Sequence, residues 1–160
     1  MRKIVAVLLS VVSLCACTSI DCPVQNLVYT VYNAYDGRGE AFTLQDTMYV
    51  YTHRRNGSDT LILNAAIGTS TFSLPISYTC PEDTLYFLFV KEGGIVADTV
   101  HIKKEDIPHF ESVDCSASFF HHLQSVRTTH HVIDSIIINK SNVDYDVTTE
   151  HFHIYFTSSD

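Results

Sequence analysis

Histidines are the side chains in this sequence whose spacing comes closest to that of a chemical site. Two pairs, His121-His122 and His130-His131, stand within the stretch FFHHLQSVRTTHH. Imidazole nitrogens are common ligands of zinc and copper, so four histidines brought together could bind such an ion. Whether the two pairs can meet depends on the secondary structure of the residues between them.

The residues that separate the two pairs do not favour a tight turn. Residues 125–127 contain no Gly, Asn, Asp or Pro, and the β-branched Val126 resists a positive φ. We therefore predict one continuous strand over Phe120–Thr129, with the turn later, at residues 131–134. At about 3.3 Å per residue the pairs then lie roughly 30 Å apart, which is too far for them to share one ion.

Other chemistry is also weakly supported. His151 and His153 would share a strand face and could join one pair, which leaves a zinc or copper site open as an alternative. Cys115 lies six residues before His121, but cysteine–histidine pairs meet in space rather than in sequence, and a disulfide would remove the nucleophile. Motifs of hydrolases, metalloproteases, phosphate loops and dinucleotide sites do not occur. We predict no enzyme, no catalytic or metal-binding residue and no cofactor.

The elements that must position these residues are strands. Eight runs are rich in Val, Ile, Thr, Tyr and Phe, which suit a pleated and half-buried surface. Hairpins are predicted at Asn56-Gly57 and Gly93-Gly94, because such steps favour turns, and each loop is expected to be longer than two residues. The predicted strands are Leu27–Tyr35, Thr47–His53, Thr60–Asn64, Thr84–Val90, Thr99–Lys103, Phe120–Thr129, Ser135–Asn139 and Glu150–Thr157.

This pattern predicts an all-β fold. Beyond Leu14 no run keeps a helical apolar period, so residues 27–158 are predicted to form a single antiparallel β-sandwich of about eight strands, with a closed β-barrel as the alternative. The run Leu85–Val90 is apolar on both faces and is predicted to be a central strand. Lys104–Cys115 contains Pro108 and is predicted to be a connecting segment.

An aspartate followed by Thr or Ser and an apolar residue recurs at five places. Calcium loops concentrate their oxygen ligands within a few residues, whereas these aspartates are thirteen or more positions apart. We interpret each as a turn residue that bonds its own backbone where a strand starts. These residues are Asp46, Asp59, Asp83, Asp98 and Asp134.

The N-terminus has the pattern of a secretory signal. Arg2 and Lys3 precede an apolar run of 11 residues, 4–14. This run is too short to span a hydrocarbon core of ~30 Å, but it fits the apolar part of a signal helix.

The tetrapeptide Leu-Cys-Ala-Cys at residues 14–17 resembles the bacterial lipobox, in which the last cysteine is acylated. By that resemblance residues 1–16 are a lipoprotein signal peptide, Cys17 carries the acyl chains and residues 17–26 are an anchor segment. More than one acyl chain gives stable anchoring. A plain secreted protein, cleaved nearby without acylation, is the alternative.

Three further cysteines allow one disulfide and leave one thiol over, which fits an oxidising compartment. We predict a bridge between Cys22, which opens the mature domain, and Cys115, which follows the irregular segment. Cys80 would then be free. The pairings 22–80 and 80–115 remain alternatives.

Charge and resemblance bound the function. The formal charge is −8 and basic residues form only isolated pairs, so nucleic acid is an unsuitable partner.

The sequence also resembles a family of small Bacteroidetes lipoproteins of unknown function. The resemblance lies in the phrases DCPVQNLVYTVYNAY, TFSLPISYT, PHFESVDCS and EHFHIYF, and it implies a one-domain lipoprotein but no activity.

We expect a non-catalytic interaction or accessory module of the cell envelope, with a protein as partner. It would be lipid-anchored in the outer membrane and face the periplasm, because residues 18–21 hold no acidic run of the kind associated with surface export. The two alternative functions are a metal-binding lipoprotein and a barrel that encloses a small apolar ligand.

Overall fold

Ten β-strands form the computed structural model, which describes residues 27–54 and 57–157. No helix within these ranges has the length and apolarity needed to cross a bilayer. The predicted signal helix, the anchor segment, Cys17 and Cys22 lie outside the described residues. The strands are β1 (Tyr29–Tyr35), β2 (Thr47–His53), β3 (Asp59–Ala66), β4 (Thr71–Pro75), β5 (Glu82–Lys91), β6 (Gly94–His109), β7 (Ser118–Thr128), β8 (Ile133–Ile138), β9 (Asn142–Val143) and β10 (Phe152–Phe156).

The strands form two sheets. The smaller sheet has the order β4-β1-β10-β8, and the larger one has the order β3-β2-β5-β6-β7-β9. Every strand pair is antiparallel except β1 with β10, which run parallel with Asn33 opposite His153. The prediction of a purely antiparallel arrangement is wrong for this one pair.

The core lies between the two sheets and is built from their inner faces. Phe87 of the larger sheet contacts Tyr32 and Phe72 of the smaller one, with ring centroids 6.4 and 6.3 Å apart. Phe89 meets Phe156 across the same interface at 5.8 Å. Aromatic edge-to-face contacts of this kind add to the energy of apolar burial. The predicted β-sandwich is confirmed.

Two strands were not predicted from the sequence. β4 has only five residues and ends at Pro75, but Phe72 and Leu74 alternate inward with exposed neighbours. Proline is tolerated there because β4 is an edge strand of its sheet. β9 has two residues and gives no periodic signal.

The prediction that Lys104–Cys115 is a connecting segment is wrong for its first half. β6 continues to His109 and pairs with β7, with Pro108 opposite Phe119. The pairing of β6 with β5 ends at Lys103. Pro108 therefore lies where the other edge of β6 is unpaired, and its missing N–H removes no ladder bond on that side.

The predicted central strand is confirmed in position, since β5 lies between β2 and β6. Its two faces differ, however. Leu85, Phe87 and Phe89 are buried, whereas Tyr86 and Leu88 are half-buried on the outer face. Apolar residues on both faces of β5 therefore give one buried face and one that is partly open to solvent.

Candidate functional site

The four histidines of the FFHHLQSVRTTHH stretch have separate partners. The predicted continuous strand is confirmed, since β7 runs from Ser118 to Thr128. His121 points inward to Asp106, and His122 bonds Asn142 on the outer face (Nδ1···Oδ1, 2.8 Å). Beyond the strand His130 has a φ of 60°. Within the described ranges no group of three or more His, Cys, Asp or Glu side chains is placed to hold a metal ion.

Asp98 is the centre of the connection between β7 and β8. Its carboxylate is fully buried and accepts hydrogen bonds at 2.7–2.9 Å from Thr129 Oγ1 and from the backbone N–H groups of His131, Val132 and Ile133. Burial alone would raise the pKa of Asp98, but these donors lower it to about 2. The predicted turn role at a strand start is wrong here, because Asp98 lies within β6 and points into the core.

A second buried polar cluster stands where the β6–β7 hairpin leaves the sandwich. Lys104 has no exposed side-chain area, and its Nζ donates to Asp106 Oδ1 (2.9 Å) and to the carbonyl of Cys80 (2.8 Å). The same Asp106 oxygen lies 2.7 Å from His121 Nδ1. Burial lowers the pKa of His121 although Asp106 opposes the shift. Asp106 therefore accepts from one buried cation and contacts one buried imidazole at the start of the hairpin.

Two clefts open beside this cluster. One of about 420 Å³ is lined by Tyr78, Lys104 and Asp106, and one of about 590 Å³ is lined by Asp83 among others. Asp83 accepts the backbone N–H of Ser77 (3.1 Å), and burial raises the pKa of Asp83. Both clefts are open to solvent and lined by mixed polar groups, unlike the apolar, enclosing pockets that bind most small ligands.

His151 and His153 do not form a joint site. His151 is fully buried, and its Nδ1 accepts the backbone N–H of Val31 (3.1 Å). Among the residues that the structure describes, none is a hydrogen-bond partner of its Nε2. Burial lowers the pKa of His151, and Lys140 contributes to the same shift. His153 instead lies on the outer face, with its ring 4.8 Å from that of Tyr35.

Two of the cysteines, Cys80 and Cys115, lie among the described residues. Cys80 has a free thiol. Cys115 lies in the β6–β7 connection and is not a free cysteine. Since Cys22 lies outside the described residues, the Cys22–Cys115 bridge stays a prediction.

The outer face of the larger sheet is aromatic and apolar. Tyr51 lies opposite Tyr86, and Tyr49 lies opposite Leu88. We call these four residues the tyrosine face. Exposed apolar patches mark interaction surfaces when they are contiguous. The exposed aliphatic side chains beside the tyrosine face are Leu61, Val90 and Ile95.

Comparison with known families identifies the domain. A family model described as Family of unknown function (DUF6452) matches residues 47–156. The chain belongs to this family. The DUF6452 match covers β2 to β10 and leaves out β1, although β1 lies between β4 and β10 in the smaller sheet. Comparisons with curated proteins and with solved structures found no match.

Sequence reasoning missed both buried polar clusters of this DUF6452 domain. A usable signal exists for one of them, since Asp98, Lys104 and Asp106 keep the period of two set by Val100 and Ile102, which face the core. A charged residue in phase with buried ones on a strand indicates a buried polar group that needs partners.

Proposed function

We propose that the protein is an acylated lipoprotein of the cell envelope that acts as a non-catalytic interaction or accessory module. The N-terminal signal pattern and the cysteine at position 17 support the tether. The domain would face the periplasm and present its outer surfaces to a protein partner.

The observation that carries the interaction role is the tyrosine face. Tyr49 and Tyr51 of β2 lie opposite Leu88 and Tyr86 of β5 on the outer face, where all four side chains are only partly buried. Tyrosine is enriched at protein interfaces because it combines a large apolar ring with a polar hydroxyl. The continuous cluster of buried apolar side chains between the sheets and the solvent-open clefts support this role better than storage of an apolar ligand.

The tether is tested by the mass of the N-terminal peptide of the mature protein. Cys17→Ser should abolish acylation and leave the precursor uncleaved. The lipobox resemblance implies that the first acyl group is attached to a cysteine thiol, which serine lacks. Cys15→Ser is the matched control and should leave acylation intact. A Cys17→Ser protein that is still processed and acylated would refute the proposal.

The interaction role is tested by crosslinking in intact cells followed by purification from membranes. Tyr51→Glu and Leu88→Glu place a charge on the tyrosine face and should remove a discrete crosslinked species. Thr71→Glu, which puts the same charge on an exposed position of β4 in the other sheet, should retain that species. A crosslinking pattern unchanged by Tyr51→Glu and Leu88→Glu would contradict the proposed surface.

A further inference from the structure

The β6–β7 hairpin extends past the end of its pairing with β5 and carries an exposed apolar tip. The pairing of β5 with β6 ends at Glu82 and Lys103, after which β6 runs on to His109 with β7 as its neighbour. Six further residues of strand correspond to about 20 Å. The connection that follows exposes 64% of Phe110 and 99% of Val113.

Aromatic side chains flank the hairpin behind this tip. His109 stacks on Phe120 at 4.2 Å, and the ring of Tyr145 meets Phe120 edge-on at 5.0 Å. Phe119 stacks on Tyr78 at 4.7 Å. Tyr78 and Tyr145 are both exposed. Tyrosines in such positions are typical of a membrane–water interface, where the ring is apolar and the hydroxyl stays wet.

The described part of the chain begins at the same end of the sandwich. Leu27 lines a cleft together with Pro75 and Asp83, and Asp83 is adjacent to Glu82, where the hairpin departs. Leu27 follows Cys17 by ten positions, and an extended chain spans at most about 36 Å over that length. A lipid anchor on Cys17 can therefore hold the hairpin tip at the membrane surface.

We propose that the tip formed by Phe110 and Val113 inserts into the interfacial layer of the bilayer that holds the lipid anchor. The inference rests on the proposed acylation of Cys17. Apolar burial drives the contact, because Glu111 and Asp114 make the tip acidic and give no attraction to anionic headgroups. The hairpin then gives the domain a fixed orientation on the membrane and leaves the tyrosine face turned to the aqueous side.

Tryptophan fluorescence tests this directly, because the chain contains no tryptophan. Phe110→Trp and Val113→Trp are two independent probes of the tip in the mature protein, reconstituted in phosphatidylcholine vesicles. Ile95→Trp is the control, since Ile95 is 65% exposed and adjoins the β5–β6 turn at the opposite end of the larger sheet.

Both tip probes should shift to shorter wavelength and lose most of their emission when the acyl chains of the lipid are brominated, whereas the control should do neither. Adding phosphatidylglycerol should not increase the quenching. Tip probes that match the control in protein that co-sediments with the vesicles overturn the inference and assign the tip to water or to a protein contact. Protein that lacks acyl chains by mass and does not co-sediment would instead refute the proposed function, and the inference with it.

Discussion

Asp98 joins two parts of the chain that lie far apart in the sequence. Its carboxylate binds residues 129–133, more than thirty positions later, and satisfies backbone N–H groups that would otherwise be buried without partners. Hydrogen bonds to an ionised group contribute more than neutral ones, and unsatisfied buried donors are costly. This single side chain therefore holds the connection from β7 into β8.

Asp98→Asn should lower the free energy of unfolding by about 3 kcal/mol, because the new amide NH₂ faces backbone donors in place of an acceptor oxygen. Asp134→Asn is the matched control. Asp134 stands in the same Asp-Ser/Thr-apolar sequence pattern but is exposed, so its replacement should change stability by no more than about 0.5 kcal/mol. Urea unfolding followed by circular dichroism measures both values, and equal losses for the two variants would contradict the anchor role.

Buried histidines predict an acid-sensitive fold. The pKa values of His121 and His151 are lowered from 6.5, first of all by burial. Below pH 6.5 the unfolded chain therefore binds protons that the folded chain does not, so stability is full above pH 6.5 and falls as the pH decreases. Asp98 adds a second loss at lower pH, since its stabilisation is present above pH 3.8 and disappears as the pH falls to about 2.

His151→Asn should reduce the loss of stability between pH 8 and pH 5. The asparagine Oδ1 can accept the Val31 N–H in place of Nδ1, and the amide does not titrate. The measurement is the urea midpoint of both proteins across this range. A pH dependence as steep as that of the unsubstituted protein would show that His151 does not contribute.

At the scale of the element, β6 is the predicted strand whose bounds differ most from the structure, since it was predicted over Thr99–Lys103 and runs over Gly94–His109. Its pairing with β7 shifts register between Lys103 and Lys104, and a bulge of this kind redirects the residues of the bulged strand. Along β6 itself the alternation persists, so Lys104 and Asp106 stay in phase with Val100 and Ile102. The Lys104–Asp106–His121 cluster then fixes the base of the protruding hairpin.

Substitutions of two neighbouring lysines test whether residue 104 lies on the buried face of β6 and residue 103 on the exposed face. Lys104→Met should lower the free energy of unfolding by about 3 kcal/mol, because it removes the buried partner of a partly buried ion pair and leaves the Cys80 carbonyl without its donor. Lys103→Met is the control on the exposed face and should change stability by at most about 0.5 kcal/mol. If residues 104–109 were a loop, as the sequence pattern suggested, the two variants would behave alike in the same unfolding experiment.

At the scale of the whole molecule, the last strand of the described residues pairs with the first. β10 lies between β1 and β8 and is aligned with β1 over a separation of about 120 residues. His151 reinforces this join, since its backbone N–H donates to the Val31 carbonyl (2.8 Å). The smaller sheet therefore combines strands from the beginning and the end of the described residues.

The predicted Cys22–Cys115 bridge belongs to this scale. It would fasten the tethered end of the chain to the β6–β7 connection, and closing a loop of about 100 residues contributes ~4.7 kcal/mol in the chain-entropy model. Non-reducing peptide mapping should find the two cysteines linked, and Cys80→Ser should leave the map unchanged. A bridge that contains Cys80 would refute the pairing, and it would also conflict with the free thiol of Cys80 in the structure.

The features that the sequence by itself determined are local. Side-chain alternation located eight of the ten strands, and Asn56-Gly57 and Gly93-Gly94 located two hairpins, because strand and turn preferences depend on a few consecutive residues. The family resemblance likewise agrees with a domain of unknown function over residues 47–156.

The tertiary structure decided everything that depends on distant partners. Asp98 has the sequence surroundings of Asp134, but only the contact with residues 129–133 makes it a buried anchor. β4 and the parallel join of β1 to β10 are stabilised by the apolar area that the two sheets bury together. That area is a property of the whole packed chain, so no short window of residues carries it.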